Sequence, residues 1–127
     1  MHPKCPKWLH DILDACELIE SATHDRSLAD YEHDRLLRSA VERNFEIIGE
    51  ALNRIHKTDA ATAARIPEHP AIVSFRNVLI HGYDSVDHDR VWQIIQTDVP
   101  RLRDQVRAFL AEVEGPGGDA PAPGPEA

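Results

Sequence analysis

Apolar residues return every three or four positions along most of this chain, the spacing of helices that bury one face. Over 6–22, Trp8, Ile12, Cys16 and Ile19 form such a stripe, widened by Leu9 and Leu13, with Asp11, Asp14 and Glu17 on the other side. The periodicity lapses at "THDRSLADYEHD", where Ser27 and Asp30 have the spacing of a capping box and open a short turn of helix. A longer helix is predicted over 34–57, with Leu37, Ala40, Val41, Phe45, Ile48, Leu52 and Ile55 as its core stripe. Gly49 inside that helix costs about 1 kcal/mol relative to alanine and implies a close neighbour.

An alanine-rich, weakly specified linker leads to Pro67 and Pro70, residues suited to a first helical turn. A helix is expected over 71–81, with Gly82 just past its end, where a left-handed conformation is cheapest for glycine. After "YDSVD", Asp84, Ser85 or Asp87 can cap a last helix reaching residue 110. Val91, Ile94, Ile95, Leu102, Val106 and Phe109 mark its core face. Pro100 should kink that helix or mark a junction, because it cannot donate to the carbonyl of residue 96. No strand alternation is convincing. The expected fold is all-α: an up-and-down bundle of four main helices plus one short helix.

Composition sharpens the boundaries. The sequence has 127 residues, enough for one domain that buries about 65% of its unfolded surface. From residue 115 it reads "GPGGDAPAPGPEA", too poor in apolar residues to offset its ordering entropy. The division expected is a helical domain over 1–112 and a disordered, acidic Pro/Gly/Ala-rich tail over 113–127. Cys5 and Cys16 form neither a disulfide framework nor a paired metal-ligand pattern. With no signal-peptide pattern and no apolar run near the ~20 residues needed to span a bilayer, a soluble cytoplasmic protein is expected.

The net charge of -8 excludes a protein that coats nucleic acid through its overall field. All 14 Lys and Arg precede residue 111, so the body carries -4 and the last seventeen residues the other -4. Contact with nucleic acid has to come from a local basic cluster.

The helix over 71–81 holds the candidate chemistry, in the stretch "SFRNVLIHGYDSVD". A histidine exchanges protons near pH 7, and an arginine offers a planar fork to phosphate oxygens. Together Arg76 and His81 could serve attack of a ribose 2'-hydroxyl on the adjacent phosphodiester, without a metal or other cofactor. Five residues of helix separate them by about 140° around the axis. They meet only if the helix ends at His81 or if the two groups come from different chains. On spacing alone, a surface arginine and a capping histidine are the commoner outcome.

"SFRNVLIHGYDSVD" resembles the R-x-x-x-x-H-x-Y signature of the HepT toxins, a branch of the HEPN ribonucleases. "AVERNFEIIGEALNRI" and "VDHDRVWQIIQTDVPRLRDQV" are similar to the same family, and the resemblance covers about 8–110. It implies a homodimeric helical bundle that cuts RNA without metal, the toxin of a type VII toxin-antitoxin system. Carried over by position, Arg76 and His81 are the catalytic pair, and Asn77 orients the phosphate or the histidine. Tyr83 is the hydroxyl that an MntA-type nucleotidyltransferase antitoxin modifies with AMP. Many relatives carry a larger residue, often glutamate, where this chain has Gly82. The alternative is a non-catalytic bundle that associates with a nucleotidyltransferase.

Other polar features have plainer expectations. Arg43, Glu46, Glu50 and Arg54 make a charged stripe, expected to form ion pairs and open to supporting a site across a dimer. His2 and Cys5 are placed in a disordered N-terminus, the remaining histidines in solvent, and Trp8 and Trp92 in packing.

Overall fold

The computed structural model describes residues 1–66 and 87–119, and these form five helices: α1 Cys5–Thr23, α2 Leu28–His33, α3 Arg35–Thr58, α4 Ala60–Ala63 and α5 His88–Asp119. The expected helix over 71–81 and its neighbours Asp84 and Ser85 lie outside the described residues.

The starts of the helices follow from local chemistry. At α2 the capping box is complete: the Asp30 N–H donates to Ser27 Oγ at 3.1 Å, and the Ser27 N–H donates to Asp30 Oδ2 at 2.9 Å. Asp34 caps α3 by accepting from the Leu37 N–H at 3.0 Å. Asp87 caps α5, its Oδ1 accepting from the Asp89 N–H at 3.0 Å while its carbonyl accepts from Val91.

Helix α1 is the centre of the described bundle, packing against both α3 and α5. Its core side chains are Leu9, Ile12, Cys16 and Ile19, facing Val41, Phe45, Ile48, Leu52 and Ile55 of α3 and Val99, Leu102 and Val106 of α5. Three cross-links give the α1–α5 direction. His10 meets Glu114 at 2.9 Å, Glu17 meets Arg107 at 2.8 Å, and Glu20 meets Arg103 at 2.5 Å. As the α1 number rises the α5 number falls, so the helices are antiparallel. The α1 start also lies by the α3 end, where the His2 N–H donates to Asp59 at 2.8 Å, so α1 and α3 are antiparallel too.

Ile66 and Asp87 consequently lie at opposite ends of the bundle. Arg65 grips Glu112 near the end of α5 with two bonds of 3.0 and 2.8 Å and lies over the Phe109 ring, whereas His88 meets Tyr31 of α2 at the other end.

Four expectations need correction. The N-terminus is not loose: Cys5 is fully buried at the start of α1, and Asp59 accepts from both His2 and the Cys5 thiol. Of the two outcomes expected at Pro100, the junction is not found: α5 runs through it, and the non-helical backbone in that helix is at Gly115, with φ 70 and ψ 165. Gln96, whose carbonyl loses its helical donor to the proline ring, is exposed and can be solvated. Ala40 is exposed, one residue off the buried line through Leu37, Val41 and Phe45. The linker is partly structured, because Asp59 closes α3 and accepts from the Thr62 N–H at 3.1 Å to open α4.

Candidate functional site

Arg76, Asn77, His81 and Tyr83, and the adjoining Gly82, all lie outside the described residues. Two features of the described chain bear on function: the end of the bundle where α5 begins, five residues after Tyr83 in the sequence, and a charged groove between α1 and α3.

At the α5 end, Tyr31 is 0% exposed and packs against His88 and Trp92, its ring centroid 5.8 and 5.6 Å from theirs. Its hydroxyl is buried without a hydrogen-bond partner among the described residues, and burial pushes its pKa up. Arg38 closes the end of α2 by donating to the carbonyls of Tyr31 and Glu32. Beside them, burial raises the pKa of Glu42, an effect that Arg38 and His88 partly offset. The sequence pattern points to none of this, because Tyr31 sits in a lapse of periodicity and its partners are 57 and 61 residues away. Trp92 is packed against the core, as its place on the α5 stripe implies.

The charged stripe on α3 divides. Arg43 pairs with Glu46 at 3.4 Å in solvent, a contact of small energetic weight. One and two turns further on, Glu50 and Arg54 line a groove of about 330 Å³ together with Lys4, Lys7, Trp8 and Asp11 of the α1 end. Lys7 is held by Asp11 at 2.9 Å, while Lys4 and Arg54 have no carboxylate within ion-pair distance among the described residues. A second groove, of about 260 Å³, is lined by Glu20, His24, Asp25 and Arg26 and has the opposite charge balance.

Lys4 is brought to the first groove by the N-terminal latch. Asp59 accepts from the backbone of His2 and of Thr62, and these bonds hold its carboxyl down at a pKa of about 2. The His2 ring accepts from the Lys4 N–H at 3.1 Å and lies nearly parallel to Trp8, 10° between planes and 6.1 Å between centroids. Trp8 is therefore only partly a packing residue, its ring shared between core and groove.

An all-helical bundle with this helix order and an Arg–His–Tyr stretch before its last helix is the arrangement that the resemblance to HepT implies. The profile of the family described as Ribonuclease HepT-like matches residues 12–109. The chain belongs to the HepT-like ribonuclease family, a family of endoribonucleases within the HEPN group. A Thermococcus cleftensis protein named "Probable ribonuclease HepT" is 35% identical over 96 residues, 76% of this chain and 86% of that protein. A protein of Caldanaerobacter subterraneus named as a candidate RNase is 32% identical over 108 residues, 84% of this chain and 96% of its own length. In a longer Methanocaldococcus jannaschii protein, named for gamma-glutamylcyclotransferase and a candidate RNase, the chain spans about half the length, 48%, at 31% identity. No solved structure matches the chain significantly. Among the described residues, no helix is long and apolar enough to cross a membrane.

Proposed function

We propose that this chain is a toxin endoribonuclease in which Arg76 and His81 cleave RNA and Tyr83 is the point of control. The observation that carries the reading is the intact R-x-x-x-x-H-x-Y motif at 76–83, inside the span that matches the ribonuclease family.

In the proposed reaction, His81 takes the proton of a ribose 2'-hydroxyl, and the oxygen forms a bond to the adjacent phosphorus. The bond to the 5'-oxygen breaks, and that oxygen takes a proton from water or from His81. The products are a 2',3'-cyclic phosphate and a 5'-hydroxyl. The Arg76 fork stabilises the extra negative charge on the non-bridging oxygens, and Asn77 orients the phosphate or the imidazole. No metal takes part.

Pairing of two chains would let an Arg76 and a His81 from different protomers share one phosphate, which the ~140° between them on one helix favours. The antitoxin is a nucleotidyltransferase of the MntA type. Attack of the Tyr83 hydroxyl on the α-phosphate of ATP releases pyrophosphate and leaves AMP on the ring. The added charge and bulk repel an RNA phosphate from the site. The catalytic body is the helical domain over 1–112, and the acidic segment over 113–127 takes no part in cleavage.

The purified protein should cut RNA and not DNA with EDTA present. His81→Ala should abolish cleavage, and coexpression with an MntA-type nucleotidyltransferase should add the mass of AMP at Tyr83. Tight association with that transferase, together with no cleavage and no effect of Arg76→Ala or His81→Ala, would identify a non-catalytic partner instead.

A further inference from the structure

An acidic nuclease has to hold a polyanion somewhere. The described cations are mostly committed: Arg26 to Asp34, Arg43 to Glu46, Arg65 to Glu112, Arg103 to Glu20 and Asp104, and Arg107 to Glu17. Arg38 is spent on two backbone carbonyls. Lys4, Arg35, Arg54, Lys57 and Arg90 have no such partner among the described residues, and of these Lys4, at the start of α1, and Arg54 of α3 line the same groove.

The geometry points to this α1–α3 groove as a binding subsite for single-stranded RNA, in which Lys4 and Arg54 take backbone phosphates and Trp8 offers a face to a base. The inference rests on the ribonuclease reading and adds a place where substrate is held. Three cations, Lys4, Lys7 and Arg54, face two carboxylates, Asp11 and Glu50, and Lys7 already neutralises Asp11. The groove is thus net positive on a body whose charge is -4. An exposed guanidinium and an exposed ammonium flanking a half-buried indole are the parts of a sequence-tolerant single-strand site: cations track phosphates while bases stack on the ring. The latch through Asp59 and His2 fixes the Lys4 backbone beside α3, so this cation is delivered by the fold and not by a free terminus. Glu50, also without an ion-pair partner among the described residues, lies one helical turn before Arg54 on α3.

The test is fluorescence anisotropy with a short fluorescein-labelled 2'-O-methyl oligoribonucleotide, which has no 2'-hydroxyl to attack and stays intact. The wild-type chain is compared with Lys4→Glu/Arg54→Glu and with Arg35→Glu. The last reverses an exposed charge near the far end of α3. The groove variant should bind about tenfold more weakly at low salt, and its log Kd should depend on log salt with a slope smaller by about 1.4, two phosphates at ~0.7 each. Arg35→Glu should change Kd less than about twofold. Equal affinity and slope in wild type and groove variant would overturn the inference. So would an equal loss in Arg35→Glu, which would reflect net charge, or loss of a protein partner with oligonucleotide affinity intact. Cleavage of unmodified RNA is followed in parallel: a wild-type chain that cuts RNA while its groove variant binds normally refutes the subsite alone. A chain that cuts nothing while its groove still governs oligonucleotide affinity refutes the ribonuclease reading alone.

Discussion

Replacing Tyr31 with phenylalanine should make the protein more stable. The ring is 0% exposed and touches His88 and Trp92, contacts that phenylalanine keeps. What is removed is a hydroxyl that has left water and accepts or donates no hydrogen bond among the described residues. An unsatisfied buried polar group costs about 1–3 kcal/mol, so Tyr31→Phe should gain about 1 kcal/mol after small losses in packing. For a domain of about 100 residues, that corresponds to a rise in Tm of about 4–8 °C. Tyr31→Ala, which deletes the ring, should instead lose about 3–5 kcal/mol. Urea unfolding followed by circular dichroism, with equal m-values across the three proteins, reads both signs. If Tyr31→Phe lowers stability by 1 kcal/mol or more (about the worth of one hydrogen bond), the hydroxyl has a partner and the reasoning fails.

Three further outcomes follow from contacts away from the motif. Asp59 is held at a pKa of about 2 by its bonds from His2 and Thr62, below the ~3.9 of an unfolded aspartate. A depressed folded pKa gives stability that is present above the unfolded value and lost as pH falls toward the folded one. Tm should therefore drop from about pH 4 toward pH 2, and Asp59→Asn should remove that part of the slope in a calorimetric series. In double-mutant cycles, Glu20–Arg103, with side chains 24% and 26% exposed, should couple by about 1 kcal/mol. Glu17–Arg107, at 49% and 54%, should couple by less than about 0.5 kcal/mol. Burial pushes the Cys16 thiol up to about 12, so at neutral pH a thiol reagent should label it only at the rate of unfolding, which mass spectrometry after timed quenching can follow.

The elements with local causes were legible in the sequence. The Ser27–Asp30 capping box, the Asp87 cap, one of three candidates, and the stripes of α1, α3 and α5 apart from Ala40 depend on residues close in the sequence, and these are present. The features that the pattern did not give are held by contacts distant in the chain. Asp59 reaches His2 across 57 positions and so orders the N-terminus, while the α1–α5 cross-links join residues 83 and 90 apart. Tyr31 is a core residue because α5 covers it, not because its neighbours in sequence are apolar. Pro100 marks no junction because a helix can run through a proline, and Gln96, whose carbonyl loses its helical donor, is exposed. For the site the balance reverses. Arg76, Asn77, His81 and Tyr83 are candidates that a motif and its family resemblance supply, whereas the α1–α3 groove needed the fold, since Lys4 and Arg54 are fifty residues apart.

The central claim is that Arg76 and His81 cut RNA by 2'-hydroxyl attack. Mass spectrometry of the products from a defined oligoribonucleotide incubated with the purified protein in EDTA tests it most directly. The expected products are fragments ending in 2',3'-cyclic phosphate and beginning with 5'-hydroxyl, with none from His81→Ala or Arg76→Ala. Fragments with 5'-phosphate ends, or the same cyclic products at undiminished rate from His81→Ala, would contradict it.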